Sequence, residues 1–330
     1  MSRPSHPVTV VVADAMILMR MSCRLALDAG PTALAVDATR TGHARIYITA
    51  EVEREVIHRM EKVAKHVSAE AALEAWRRLL APSITVVDLP FGDVLHPAVR
   101  GIVELDPDDV LTGALALLVG PALVWSEDHS LTDTGFASEL SWRETGEALV
   151  ELARTEAAWA GGLGLTALTS TALVELAKAG ARFARQGPLQ ALGLGLGVGA
   201  ALFGLVGPGG SRWARTRTAF TAGGRFVVKY ANELAVRSEA AEARLYRVQP
   251  RGSDGLVEGA ARRLARAPQP MTASELRDAL RRSRRPGLGD REVTAAAIER
   301  ALAAHPAFHR LTGKRWKLGR PVRFPNGLDL

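Results

Sequence analysis

The chain is poor in cysteine: among 330 residues, Cys23 stands alone. A disulfide framework and a cysteine-rich zinc site are thereby excluded, and any bound metal must be held by carboxylates and histidines. There is no internal repeat. The first apolar run, Val8–Met19, is interrupted by Asp14 and opens on Val8-Thr-Val-Val-Val12. It therefore reads as a buried strand rather than the core of a signal peptide. Apolar residues are not scarce: they make up 47% of the chain against 23% charged. That balance excludes a disordered or fibrous protein, and the length gives room for two or more domains with sizeable cores.

The net charge of +7 conceals a split. Residues 1–142 hold 12 Lys/Arg and 19 Asp/Glu, whereas residues 143–330 hold 30 and 16. An acidic module is thus joined to a basic one. The basic part is suited to nucleic acid or an anionic membrane. The acidic part suggests either a metal site or a merely soluble surface.

Within 1–142, strands are expected at Val8–Ala13, Arg45–Ile48, Ile84–Val87 and Ala122–Trp125. Helices are expected at Ala15–Asp28, Glu51–His66, Ala69–Leu80 and Asp109–Leu118. This alternation implies crossover units and a mainly parallel α/β sheet flanked by helices. Ligands of such sheets gather beyond the carboxyl ends of the strands. Asp14 follows the first strand, Glu55 lies one turn into the helix after the second, Asp109 opens a helix, and Asp128 follows the last strand. If the strands are adjacent, these four carboxylates meet at one rim. Their repulsion calls for a cation, and hard divalent cations take oxygen ligands. The alternative is plain: Asp106 and Asp108 cap the helix at Asp109, and Glu55 is one more surface glutamate beside Glu51 and Glu53.

Residues 8–140 resemble a PIN domain. The resemblance rests on Val10-Val-Val-Ala-Asp14, Ile48-Thr-Ala-Glu-Val-Glu-Arg-Glu55, Asp106-Pro-Asp-Asp-Val-Leu-Thr-Gly-Ala-Leu-Ala-Leu117 and Val124-Trp-Ser-Glu-Asp128. It implies RNA hydrolysis by metal-activated water, with Mg²⁺ or Mn²⁺ as cofactor and no protein nucleophile. It makes Asp14, Asp109 and Asp128 metal ligands. Glu55 completes the shell or orients water, and Ser126 positions a ligand or phosphate. Asp108 replaces Asp109 if the helix register shifts by one, and Asp133 is a further outer carboxylate. His129, beside Asp128, either contacts a phosphate, shuttles a proton or is plain surface. Cys23 is expected to be buried packing.

Residues 143–211 are expected to be an apolar helical region. Residues 157–174 carry no charge over 18 positions, and residues 186–210 none over 25. The second run is long enough to cross a bilayer, and its glycines suit close helix packing in lipid. The two runs read either as a transmembrane hairpin with lipid contact at the inner face of the cell membrane, or as a soluble helical pair that packs on the sheet or on a second copy in a homodimer. Residues 212–255 read as a basic connector and linker. Residues 256–330 form a basic unit with helices at Leu256–Ala265, Met271–Arg282 and Gly289–Ala304. Thr272 and Glu275 are spaced for a capping box, and Asp290 for a cap. A hairpin follows. This order, and above all His305-Pro-Ala-Phe-His-Arg-Leu-Thr-Gly-Lys-Arg-Trp-Lys-Leu-Gly319, resembles a winged helix-turn-helix. The resemblance assigns nucleic-acid contacts to Arg291, Thr294 and Arg300 on the third helix and to Lys314, Arg315 and Lys317 on the wing. Its partner is DNA, RNA or a regulator protein. Phe308 and Trp316 are expected in the core.

The expected whole is a cytoplasmic metal-dependent endoribonuclease, acting as a toxin, defence or RNA-control factor. The rival is a non-catalytic, membrane-tethered nucleic-acid-binding regulator on a PIN-like scaffold.

Overall fold

The computed structural model describes residues 8–27, 36, 39, 44–90, 97–152, 236–237, 239–245, 247–249, 255–282 and 293–324. The chain divides into two compact units, one made of Met1–Val150 with Leu245–Leu330, the other of Glu151–Arg244. In the second unit the described residues 151–152, 236–237 and 239–244 are helical. The apolar runs at 157–174 and 186–210 lie outside the described residues. Among the described residues, no helix is long and apolar enough to cross a membrane.

The first unit is built on a five-stranded sheet in the order β4-β1-β2-β3-β8. Its strands are β1 (Thr9–Ala13), β2 (Ala44–Thr49), β3 (Ile84–Val87), β4 (Leu123–Trp125) and β8 (Arg320–Pro321). The first four are parallel, and β8 runs antiparallel along β3. β1 is buried at every position, as β-branched residues are in a parallel strand covered on both faces. Side chains alternate between the faces. On one face, helices α1 (Ala15–Ala26), α2 (Ala50–Val63) and α3 (Ala69–Ala75, prolonged by a π turn at Trp76–Leu80) form the cover. α2 and α3 start where sequence predicts caps, with Thr49 accepting from the Val52 amide at 3.3 Å and Ser68 from the Ala71 amide at 3.1 Å.

The other face is covered differently. Val10, Val12, Tyr47 and Val87 pack against α5 (Val110–Val119), which is buried almost all round. It is buried because a helix from the far end of the chain lies beside it. That helix, α7 (Leu256–Arg266), brings Ala260, Ala261, Leu264 and Ala265 into the same core. Its small residues permit close approach. Its last carbonyls are met by side chains of the sheet: Tyr47 Oη donates to the Ala265 oxygen at 3.0 Å, and Arg45 donates to the Ala265 and Ala267 oxygens. A cation at a helix carboxyl end is favourably placed. Arg266 in turn donates to the Val119 oxygen at the end of α5, at 2.8 Å.

Beyond α7 come β5 (Met271–Thr272), α8 (Ala273–Arg282), α9 (Ala295–Ala304), β6 (Phe308–Leu311) and β7 (Arg315–Leu318). The strands form a small antiparallel sheet in the order β5-β7-β6. Phe308 and Trp316 are buried in its core, as expected. The capping box is present: Thr272 Oγ1 accepts from the Glu275 amide, and Glu275 accepts from the Thr272 amide at 2.7 Å. Met271 and Thr272 are therefore strand rather than helix. α9 begins at Ala295, later than expected, because Thr294 caps it by accepting from the Ala297 amide at 3.1 Å. Asp290 lies outside the described residues. After β7, Gly319 turns at φ +69, and a Cβ there would lie 2.5 Å from the Val86 oxygen. Only glycine lets β8 close against β3 at that point.

Candidate metal centre

The acidic residues reach one place because parallel strands end on one side. Asp14 directly follows β1 and stands at the N-cap position of α1. Asp109 stands at the N-cap position of α5, after the short 3₁₀ turn Pro107–Asp109. Asp128 caps the short helix α6 (His129–Asp133) by accepting from the Ser130 amide at 3.1 Å. Asp106, at the end of α4 (Arg100–Leu105), accepts from the Asp108 amide at 2.9 Å.

Ligand oxygens of Asp106, Asp109 and Asp128 all lie within 4.8 Å of one another. Asp14 joins them through Ser126: its carboxylate accepts from Ser126 Oγ at 3.2 Å, and the same oxygen of Ser126 accepts from the Asp128 amide at 3.0 Å. Ser126 is buried, so its hydroxyl is held in place. A second serine acts from the other side. Ser130, also buried, donates from its hydroxyl to Asp109.

The electrostatics match the crowding. The Asp14 carboxyl is raised to about 6. Burial is the largest cause; the Ala15 amide and the Ser126 hydroxyl oppose it, while the charges of Glu55 and Asp128 add to it. Asp109 is raised to about 7, again first by burial. The Ser130 hydrogen bond opposes that rise, and Asp14, Asp128 and Asp106 reinforce it. None of these four aspartates forms an ion pair with a Lys, Arg or His among the described residues. Carboxylates gathered without a counter-charge, offering oxygen donors alone, fit a hard divalent cation.

Other expected residues stand apart. Glu55 lies on α2 near enough to act on Asp14, but it is bound to Arg59 at 2.7 Å and is not in the close triplet. Asp108 and Asp133 are exposed, and it is Asp109, not Asp108, that joins the triplet. His129 is exposed. Cys23 is only half-buried, a departure from the expected core position. Two members were not assigned from sequence. Asp106 reads as a cap, and it is one, yet it also faces the other carboxylates. Ser130 carries no signal beyond its place two residues after Asp128.

A family model described as a PIN domain matches residues 12–156. The match supports a PIN domain here. PIN domains are generally metal-dependent nucleases, so the match supports a hydrolase that uses divalent metal on nucleic acid. No curated protein and no solved structure matches the chain.

The same rim holds a second acidic pair, built in the opposite way. Glu53, on the first turns of α2, and Asp88, directly after β3, both meet Arg320 of β8. The guanidinium donates to Glu53 at 3.1 and 2.7 Å and to Asp88 at 3.1 and 3.3 Å. The Arg323 amide adds a third donor to Glu53 at 2.6 Å. Glu53 and Arg320 are buried. Burial works against the charge of Arg320, but Glu53 and Asp88 outweigh it and hold the guanidinium more firmly protonated than usual.

Proposed function

We propose that the protein is a Mg²⁺- or Mn²⁺-dependent endoribonuclease. The observation that carries this reading is the convergence of Asp14, Asp106, Asp109 and Asp128 beyond the carboxyl ends of β1 and β4, with no ion pair to a Lys, Arg or His among the described residues. Asp109, Asp128 and Asp106 would hold the metal, with Asp14 beside them and Glu55 near enough to act on Asp14. When bound, a divalent cation supplies Lewis acidity for water attack on a phosphodiester and for the charge that develops on the phosphate. Ser126 holds Asp14 and the backbone of Asp128 in register. Ser130 does the same for Asp109 and Asp128. In this reading the nucleophile is water, and Ser126 and Ser130 hold Asp14 and Asp109 in place.

In this reading residues 1–142 are the nuclease part and residues 256–330, a winged helix-turn-helix-like part, handle nucleic acid. Arg300, Lys314, Arg315 and Lys317 remain available there. Thr294 is spent on capping α9, and Arg291 lies outside the described residues. A role as a toxin, defence or RNA-control factor accords with a metal-dependent ribonuclease.

The test is incubation of the full chain with mixed RNA and single-stranded DNA under Mg²⁺, Mn²⁺ or chelator. RNA is cut with metal and spared with chelator. Asp14→Asn and Asp109→Asn each lower cutting beyond the ~100-fold seen when outer partners of a metal are removed. Cutting in chelator, or unchanged cutting by both variants, overturns the reading.

A further inference from the structure

The basic C-terminal part reaches the sheet rim where β7 leads through Gly319 into β8. Lys317 of β7 lies directly opposite His309 of β6. Residues directly opposite in an antiparallel pair share a face. That face is the outer one: Trp316, Leu318 and Phe308 fill the core side. His309 feels the charges of Asp88, Lys317, Arg320 and Arg323 together. The outer face of the small sheet therefore looks onto the carboxyl end of β3, where Asp88 stands.

Three cations and two carboxylates meet there, because Glu53 accompanies Asp88. Arg320 is consumed by that pair. Lys317 and Arg323 form no ion pair among the described residues, and Arg323 is exposed. His309 Nε2 is buried without a hydrogen-bond partner among the described residues. The place thus has surplus positive charge and an unused ring nitrogen, on the same edge of the sheet as the carboxylate centre. Asp14 ends β1 and Asp88 ends β3, two strands away. At the usual spacing of neighbouring strands, the separation is about 10 Å. A single-stranded backbone bridges that in a few nucleotides.

We propose that Lys317 and Arg323, with His309 behind them, form a phosphate-binding subsite that holds the RNA backbone a few nucleotides from the bond cut at the carboxylate centre. The proposal rests on the ribonuclease reading for the identity of its ligand. It makes the C-terminal part a component of the nuclease groove: the strand enters over the β7–β8 turn and runs along the rim toward Asp14. Lys317 then serves the sheet rim, whereas Lys314 and Arg315 lie on the turn and the start of β7.

The experiment uses the full chain and a labelled single-stranded oligouridylate, with chelator present so that binding is read without turnover. Affinity is measured across a salt series for wild type, Lys317→Ala/Arg323→Ala and the charge-preserving Lys317→Arg/Arg323→Lys. The alanine pair is expected to bind roughly a hundredfold more weakly, as loss of two hydrogen bonds from charged groups predicts. Its salt slope should fall by about 1.4, since each phosphate contact to a single strand contributes ~0.7. The charge-preserving pair should keep the wild-type slope, which separates a charge effect from misfolding. With Mg²⁺, the alanine pair should cleave a long RNA with raised KM. Equal affinity and slope for wild type and the alanine pair overturn the subsite. Failure of wild type to cut any RNA, with the binding difference intact, overturns the nuclease reading and leaves the subsite standing.

Discussion

The rim of the five-stranded sheet carries two groups of acidic side chains, and they have opposite neighbours. Glu53 and Asp88 are met by Arg320, which arrives on a strand from the far end of the chain. Among the described residues, Asp14, Asp106, Asp109 and Asp128 are hydrogen-bonded by hydroxyls and amides and ion-paired to no Lys, Arg or His. Burial costs a carboxylate its hydration wherever it occurs. The first group is neutralised from within. The second has no such partner among the described residues, and two of its members, Asp14 and Asp109, hold their protons to about pH 6 and 7 respectively. The two groups share a sheet edge, so the difference lies in what each one is for. One closes the structure, and the other, in the proposed reading, takes a cation from solution.

The sharpest way to break this comparison is to remove the internal cation. In Arg320→Ala, Glu53 is left buried with only the Arg323 amide, and Asp88 loses its partner. Removing one member of a buried pair costs about 3–5 kcal/mol. Urea unfolding of the full chain should show that loss. Pairing Arg320→Met with Glu53→Gln should recover most of it, because the uncompensated charge disappears. A loss below about 1 kcal/mol for Arg320→Ala would mean that the pair behaves as a surface contact.

The second test inverts the sign. The Asp14 and Asp109 carboxyls are raised above the ordinary 3.8. The folded protein therefore binds more protons than the unfolded chain through this range, and stability falls as pH rises. Their contribution is fully present below about pH 4 and is lost between there and about pH 7. The metal-free protein should thus lose stability from pH 4 to 7. Asp14→Asn should remove much of that fall and stabilise the metal-free protein at pH 7 by about 2 kcal/mol, after allowance for residual solvent screening. Mg²⁺ or Mn²⁺ should raise the unfolding temperature of wild type at pH 7 and not that of the variant. A variant less stable than wild type at pH 7 without metal would show that Asp14 is held by the fold and not strained by it.

The contrast between the groups also marks how much was legible in the sequence. β1 and β3 declared themselves through runs of β-branched residues, and Asp14 and Asp128 through their place directly after strands. Asp106 was hidden because capping and facing a metal draw on the same residue type at the same spot. Glu53 was hidden between Glu51 and Glu55, since a helix sequence alone does not say which glutamate a distant arginine will meet. The partner, Arg320, lies 267 residues away, in a strand of two residues whose Gly319-Arg320-Pro321 pattern carries no strand signal. α7 was expected as a helix of a separate basic unit. Its alanines gave no hint that they complete the cover of the five-stranded sheet. The late start of α9 has a similar cause: Asp290 and Thr294 are both fit to cap, and only packing selects between them.

The smallest effect concerns the serine that stands between the two regimes. Ser130 gives Asp109 the one side-chain hydrogen bond that opposes its burial and the charges around it. Ser130→Ala should raise the Asp109 carboxyl further and weaken divalent-metal binding by about 10–100-fold, the range for residues that orient a ligand. The change in metal-free stability should be only about 1 kcal/mol, one hydrogen bond. Metal affinity read from unfolding temperature against Mg²⁺ concentration separates these two numbers. Ser130→Thr, which keeps the hydroxyl, should restore most of the affinity. If Ser130→Ala lowers stability without moving metal affinity, the serine merely supports α6, and Asp109 meets its cation without help.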